Sequence, residues 1–470
     1  MGGLAFASGP EPLCTPRMPP EIYQLVRDHC HAVLRQLFIC VATPIEGPGK
    51  EDYGDIDIFL AWERKKIFPS KLVNDSLKGL PDEPLQAAAR LLEAEKTRKE
   101  QPHSLTLAIP WPESPQDSVK QKDPAGTRVN GGSDQVKEET KRRFIQVDLH
   151  HYQSIDQLQW MLFKYAHGDL WNILGSTIRP FGLTIDEVGL YLRIPEIEKE
   201  NRKKAKVLLT EDPVAVLQFL GLKFDGRQWE ERFALFTDVF EYAATSRFFR
   251  ARLNQSPDED GIFCEEQTGA ESDKKKLKSN DRRRMNQRPL FRKWVEEFLP
   301  KCREEGQLGN TQLTRADVRD QAFASFGVRH EYEVRLVEWR MQRQKETLWR
   351  DVIKASLPED LDPIWRGCAA SALKKIIMQG DDSFGIRSQR NLRDESGFYI
   401  EEYVREFVQD SWKQVGDVAW RKNHERYLEH LSNKETKRTA SGGEKVNDDV
   451  PNGNTPHGTG VRDEEGAKDV

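Results

Sequence analysis

The stretch Tyr53-Gly54-Asp55-Ile56-Asp57-Ile58-Phe59-Leu60-Ala61-Trp62 constrains this chain more than any other. Two acids separated by one residue open an apolar run that reads as a strand. Strand side chains alternate between faces, so Asp55 and Asp57 emerge on the same side. Two adjacent carboxylates repel unless a cation lies between them, and a divalent metal is the usual solution. The plain alternative is an exposed pair of acids at a strand edge. Support for the metal must come from the rest of the chain.

At 470 residues the chain has room for two or three domains. It is 37% hydrophobic and 32% charged, which suits a soluble protein with polar linkers. A net charge of −5 and a pI near 6.2 argue against coating nucleic acid through the overall field. Cys14, Cys30, Cys40, Cys264, Cys302 and Cys368 are scattered without Cys-x-x-Cys spacing, reading as reduced thiols that supply no zinc site. No signal-peptide pattern opens the sequence, and Phe6 stands where a myristoylation signal would want Ser or Thr. No run of ~18 apolar residues is present. The expected location is cytoplasmic or nuclear.

Residues 1–19, rich in Gly and Pro, are expected to be disordered. Apolar residues from Ile22 to Phe38 recur at helical spacing, predicting a helix from Glu21 to about Cys40. A turn-rich link leads to the strand opened by Asp55. An Ala/Leu-rich helix is expected over residues 84–100, with strands at Ser104–Ile109 and Arg143–His150. Residues 113–137 read as an inserted surface loop. The fold class is α+β: a small mixed sheet over residues 20–155, then a large, mostly helical region.

Within residues 156–252, Val188–Ile194 and Lys206–Leu209 read as paired strands, and Thr210-Glu211-Asp212-Pro213 as a helix start. Trp229 to Phe248 carries a strong helical stripe. A linker at 253–280, a helical region at 281–432 and a disordered tail at 433–470 complete the expected layout. Long helices are predicted at Arg315–Ala355, Trp365–Met378 and Phe398–Leu431. The basic run Lys274–Lys293 reads as a solvated face or localisation signal, with a phosphate-contacting groove as the alternative.

A third acid, Asp148, stands near the end of the strand Arg143–His150. Beside Asp55 and Asp57 it would give a site for two divalent ions, as in-line nucleotidyl transfer requires. Sugar-nucleotide glycosyltransferases also use Asp-x-Asp, but there the apolar run usually precedes the acids, and here it follows them.

Gly54-Asp55-Ile56-Asp57-Ile58, Gln146-Val147-Asp148-Leu149 and His167-Gly168-Asp169-Leu170-Trp171-Asn172-Ile173-Leu174-Gly175 resemble the polymerase-beta-type nucleotidyltransferase superfamily. The likeness is to a poorly characterised fungal branch, with related forms in phage and other microbes. Leu209-Thr210-Glu211-Asp212-Pro213 and Val216-Leu217-Gln218-Phe219-Leu220-Gly221 resemble the same branch, so the likeness spans about Glu21 to Phe249. It implies a sheet carrying three metal-binding acids and a helical domain that closes over a nucleotide. Asp55, Asp57 and Asp148 become the metal ligands, for Mg²⁺ or Mn²⁺, and the catalytic residues; Thr43 and Gly54 become nucleotide contacts. The implied donor is a nucleoside triphosphate and the acceptor is open, RNA through Lys274–Lys293 being one candidate. The superfamily's Gly-Ser turn is replaced by Cys40-Val41-Ala42-Thr43-Pro44, which keeps a hydroxyl at Thr43 but lacks an N–H at Pro44. The alternative function is a degenerate descendant that binds protein or RNA.

His150 and His151 are adjacent in a strand and cannot both face the acids. His167 reads as a capping or packing residue, and Asp169 as a helix N-terminal acid rather than a fourth ligand. Lys203, Lys204 and Lys206 could reach a triphosphate, yet a solvated run is the simpler reading. No Ser-His-Asp set, phosphate-binding Gly loop or dinucleotide fingerprint is present.

Overall fold

The computed structural model describes residues 3–68, 79–99, 101–112, 142–251, 279–309 and 312–440. The expected loop at 113–137, most of the linker at 253–280, the start of the basic run and the part of the expected tail beyond 440 lie outside them; residues 433–440, expected to be disordered, continue the helix Glu401–Ala440 instead. The fold is mixed α+β, and the chain divides into two compact units, one ending at Val337 and the other starting at Glu338.

In the first unit, five strands form one mixed sheet: β1 (Phe38–Ala42), β2 (Asp55–Glu63), β3 (Lys96–Arg98), β4 (Ser104–Pro110) and β5 (Phe144–Tyr152). Their order is β1-β2-β5-β4-β3. β2 and β5 run parallel at the centre, and every other pairing is antiparallel. Alternation gives the sheet two unlike faces. Ile56, Ile58, Leu60, Val147, Leu149, Leu105 and Leu107 share one face and are buried. That face is covered by helix α1 (Pro20–Leu34), through Tyr23, Val26, Cys30 and Leu34, and by the helix Pro84–Leu91, through Leu85 and Ala88. Each such side chain contributes ~1.5–3 kcal/mol by leaving water, which pins the register and sends Asp55, Asp57 and Asp148 to the opposite face.

Four further expectations are corrected. Residues 3–19 are packed rather than disordered: Met18 and Phe6 are buried, and Met18 exchanges backbone hydrogen bonds of 2.7 and 2.9 Å with Tyr53. The helix expected to reach Cys40 stops at Leu34, because Phe38-Ile39-Cys40-Val41-Ala42 pairs with β2 instead. The helix expected over 84–100 ends at Leu91, where Glu93 takes a φ of 52° and the chain turns into β3. The helix expected over Arg315–Ala355 is interrupted at Gly327, whose φ of 69° ends Arg315–Phe326 before Arg329–Thr347 begins.

The second sheet, β6 (Leu183–Ile185), β7 (Leu190–Arg193) and β8 (Lys206–Thr210), is antiparallel and includes the expected strand pair. The stripe from Trp229 to Phe248 divides into a short 3₁₀ turn at Arg227–Trp229 and a helix at Phe236–Ala244. In the second unit, helices Pro363–Gln379 and Glu401–Ala440 enclose a core with Val352, Leu373, Val404, Val408 and Val415. Among the described residues, no helix is long and apolar enough to cross a membrane.

Candidate functional site

The parallel register of β2 and β5 brings the three acids together on one face. Asp57 pairs with Asp148 and Asp55 with Gln146. Neighbouring strands lie ~4.8 Å apart, so Asp57 and Asp148 stand side by side, with Asp55 one pleat away. The same alternation puts Gln146, His150 and Tyr152 from β5, and Thr106 from β4, on this face.

The acids sit in a strained electrostatic balance. Asp55 is pushed up to about 6, first by burial and then by Asp57 and Asp148, with Lys50 opposing. Burial also raises Asp148, against hydrogen bonds from Thr106 and Gln146 that favour its charged form. Gln146 Nε2 donates to both Asp148 oxygens, at 2.9 and 3.2 Å. His150 Nε2 lies 3.8 Å from Asp57 Oδ1. As expected, its neighbour points away: His151 approaches Glu63 at 3.8 Å and the Phe38 ring behind the sheet.

One flank of the acids is aromatic. Phe59, two residues beyond Asp57 on the same face, meets the rings of His150, Tyr152 and Tyr165 edge-on at 5.4, 5.4 and 5.6 Å. Tyr165 ends the helix Ile155–Tyr165 and stays 43% exposed. Burial, Glu187 and Asp57 raise its hydroxyl, while Arg288 lowers it.

The other expected residues are placed as follows. Thr43 Oγ1 is hydrogen-bonded to His31 Nε2 at 2.8 Å, so its hydroxyl already has a partner. Gly54 is buried, and its carbonyl lies against Gly3. The loop between them is braced: Tyr23 donates to Glu46 at 2.6 Å, Glu46 pairs with Lys50, and the His167 N–H donates to the Ile45 carbonyl at 2.7 Å. His167 is a packing residue against Trp229 and Phe233. Asp169 stands at the N-terminus of the helix Leu170–Ile178, accepts from Asn172 at 3.2 Å and pairs with Arg288 at 2.6 Å. Arg288, from the basic run, is thereby drawn towards this end of the unit. Lys206 is paired with Asp186 at 2.6 Å, while Lys203 and Lys204 are exposed.

Asp55, Asp57 and Asp148 were legible in the sequence; Gln146 entered only as a motif neighbour, His150 only as one of two histidines that cannot both face the acids, and Thr106 was not singled out. Alternation counted from Asp148 reaches Gln146 and His150, but only the β4 register reaches Thr106. The five described cysteines are free thiols, as expected.

Among the described residues, no three His, Cys, Asp or Glu side chains already stand in ligand geometry around one point. The fit to a divalent ion rests on donor chemistry: three oxygen-donor acids on one face, one of them held above the usual carboxylate range by its burial and by the other two. Hard oxygen donors of this kind suit Mg²⁺ or Mn²⁺. Comparison with known proteins finds no matching family model and no matching curated protein.

Proposed function

We propose that the chain is a nucleotidyltransferase that moves a nucleoside monophosphate from a nucleoside triphosphate to an acceptor hydroxyl and releases pyrophosphate. The observation that carries this reading is the cross-strand pairing of Asp57 with Asp148, with Asp55 on the same face. The sequence resemblance given above supports it independently. Asp55, Asp57 and Asp148 would hold Mg²⁺ or Mn²⁺, which when bound neutralises triphosphate charge and makes the acceptor hydroxyl easier to ionise. Asp148 would take the proton of that hydroxyl as its oxygen attacks the α-phosphorus and the bond to pyrophosphate breaks. The Phe59–Tyr165 flank, buried on one side, would keep water from part of the face.

The test is incorporation of each labelled nucleotide into RNA, protein or small-molecule acceptors with Mg²⁺ or Mn²⁺. Wild type is expected to label one acceptor class, and Asp57→Ala to lose at least ~100-fold of that rate, the scale on which a lost charge-stabilising group acts. Equal labelling by Asp57→Ala, or none by wild type, would sink the reading.

A second reading, a fold retained for binding without catalysis, draws on one observation: the Thr43 hydroxyl, the remnant of the phosphate turn, is taken by His31. Calorimetry separates the two. A catalyst binds nucleotide more tightly when Mg²⁺ is present, whereas the binding-only descendant gives the same affinity with and without it.

A further inference from the structure

We propose that Gln146, held by the N-terminal segment 3–15, is a positioning residue that aims the Asp148 carboxylate and so sets how tightly the acid site binds divalent cations. The inference rests on reading the three acids as a metal site. It adds a component that the acids themselves do not suggest: a stretch of chain far away in sequence that tunes one of them.

Gln146 is only 6% exposed and reaches both oxygens of Asp148 with its amide nitrogen. Rotation about the bond to a carboxylate is soft, so a donor shared by both oxygens fixes a plane that would otherwise wander. The opposite end of the same amide is fixed too, because Gln146 Oε1 accepts the Ala5 N–H at 3.0 Å. Turning the amide over would set its oxygen against the Asp148 carboxylate and its NH₂ against the Ala5 N–H. Both contacts would then be repulsive. The Ala5 N–H therefore decides which end of Gln146 faces the acid.

Ala5 is itself held. Ala7 N donates to the Leu4 carbonyl at 3.2 Å, closing a turn with Ala5 at its second position. Leu13 N donates to the Phe6 carbonyl at 2.9 Å, Thr15 Oγ1 to the Gly3 carbonyl at 2.8 Å, and Arg98 Nη1 to the Ala5 carbonyl at 3.3 Å. Phe6 is buried with Ala108 and Phe144, beside Gln146's own strand position. Gly3 has a φ of 85°, and a β-carbon there would lie 2.2 Å from the Gly54 carbonyl oxygen, directly before the acid pair. One continuous set of contacts thus runs from the segment through Gln146 to Asp148.

The test is Mn²⁺ titration of the full chain, with free ion counted by its electron paramagnetic resonance signal and folding checked by near-ultraviolet circular dichroism. Gln146→Met keeps shape and loses the hydrogen bonds to Asp148 and from Ala5. It is expected to weaken Mn²⁺ binding ~10-fold, the lower end for residues that orient a metal ligand. Ala5→Pro suits the second position of the turn, removes the N–H and sets its ring Cδ against Gln146 Oε1, so the amide loses its anchor at that end. It is expected to weaken binding in the same direction by a smaller factor. Asp57→Asn is the control for the site. If Asp57→Asn binds Mn²⁺ like wild type, the metal-site reading itself fails. If Asp57→Asn loses binding while Gln146→Met keeps wild-type affinity, the positioning role is overturned. Should Gln146→Met weaken binding and Ala5→Pro leave it unchanged, the part assigned to the N-terminal segment is overturned.

Discussion

At His167 the backbone takes a φ of 60°, the side chain is 0% exposed, and among the described residues neither ring nitrogen is within hydrogen-bond geometry of a partner. Burial in that aromatic surrounding disfavours a charged imidazole and drives its pKa down from 6.5 to about 4, with a Gln228 backbone group opposing. The sign follows directly. A histidine whose folded pKa is depressed contributes its full share of stability above pH 6.5 and loses it as pH falls towards 4. The loss amounts to ~3 kcal/mol at most. His167→Asn keeps a residue that tolerates positive φ and removes the titration. Urea unfolding between pH 4 and 7 is expected to show a shallower acid limb for this variant than for wild type. The same scale shows why some of the site was readable in advance. Asp55 and Asp57 announce themselves by spacing, and alternation from Asp148 orders Gln146 and His150 along β5. The Ala5 N–H and Arg288 carry no such signal, since only tertiary folding brings them near.

Among the elements, strands β2 and β5 were legible: β2 opens on alternating Asp and Ile and continues as an apolar run, and β5 alternates Ile145, Val147 and Leu149 with Gln146, Asp148 and His150. β1 was not, because Leu34, Leu37 and Phe38 continue a helical spacing that the chain abandons in favour of pairing with β2. Hydrophobic spacing over so few residues fits both periods, and partner strands decide between them. A contest of magnitudes arises in the helix Glu401–Ala440. Gly416 there faces the Trp365 ring, and a β-carbon would lie 2.1 Å from Trp365 Cζ2. Alanine gains ~1 kcal/mol over glycine in helix propensity, whereas overpacking a closed contact costs ~1–3 kcal/mol. Trp365 cannot easily retreat, with its ring edge-on to Trp412 at 5.8 Å and its Nε1 donating to Asp417 at 3.3 Å. Gly416→Ala is therefore expected to be destabilising by ~1 kcal/mol in denaturant titrations followed by tryptophan fluorescence. Greater stability would show that the ring shifts freely.

For the molecule as a whole, composition gave the helical excess and the early position of the sheet, but misjudged the first nineteen residues. Gly and Pro there suggested disorder, yet Phe6 and Met18 supply enough apolar surface to dock. If the acids hold divalent ions, folding and binding are linked, and Mg²⁺ or Mn²⁺ at 100 times its dissociation constant adds ~2.7 kcal/mol. Differential scanning calorimetry is expected to show that gain as an upward shift of the melting transition in wild type and its loss in Asp57→Asn. The central pairing has a further consequence for the order in which the protein is made. β1 and β2 are joined through Thr43 to Gly54, whereas β2 and β5 are separated by the far longer Arg64 to Arg143 and must meet side by side in parallel. Loop-closure entropy makes such distant pairing slow. On a ribosome, Asp55 and Asp57 emerge long before Asp148, so the nascent chain carries an acid pair without its third member. Pulsed hydrogen exchange during refolding should find the amides of the β1–β2 pairing protected first and those shared by β2 and β5 later. The cluster of three acids is then a late product of folding, complete only once the whole sheet has closed.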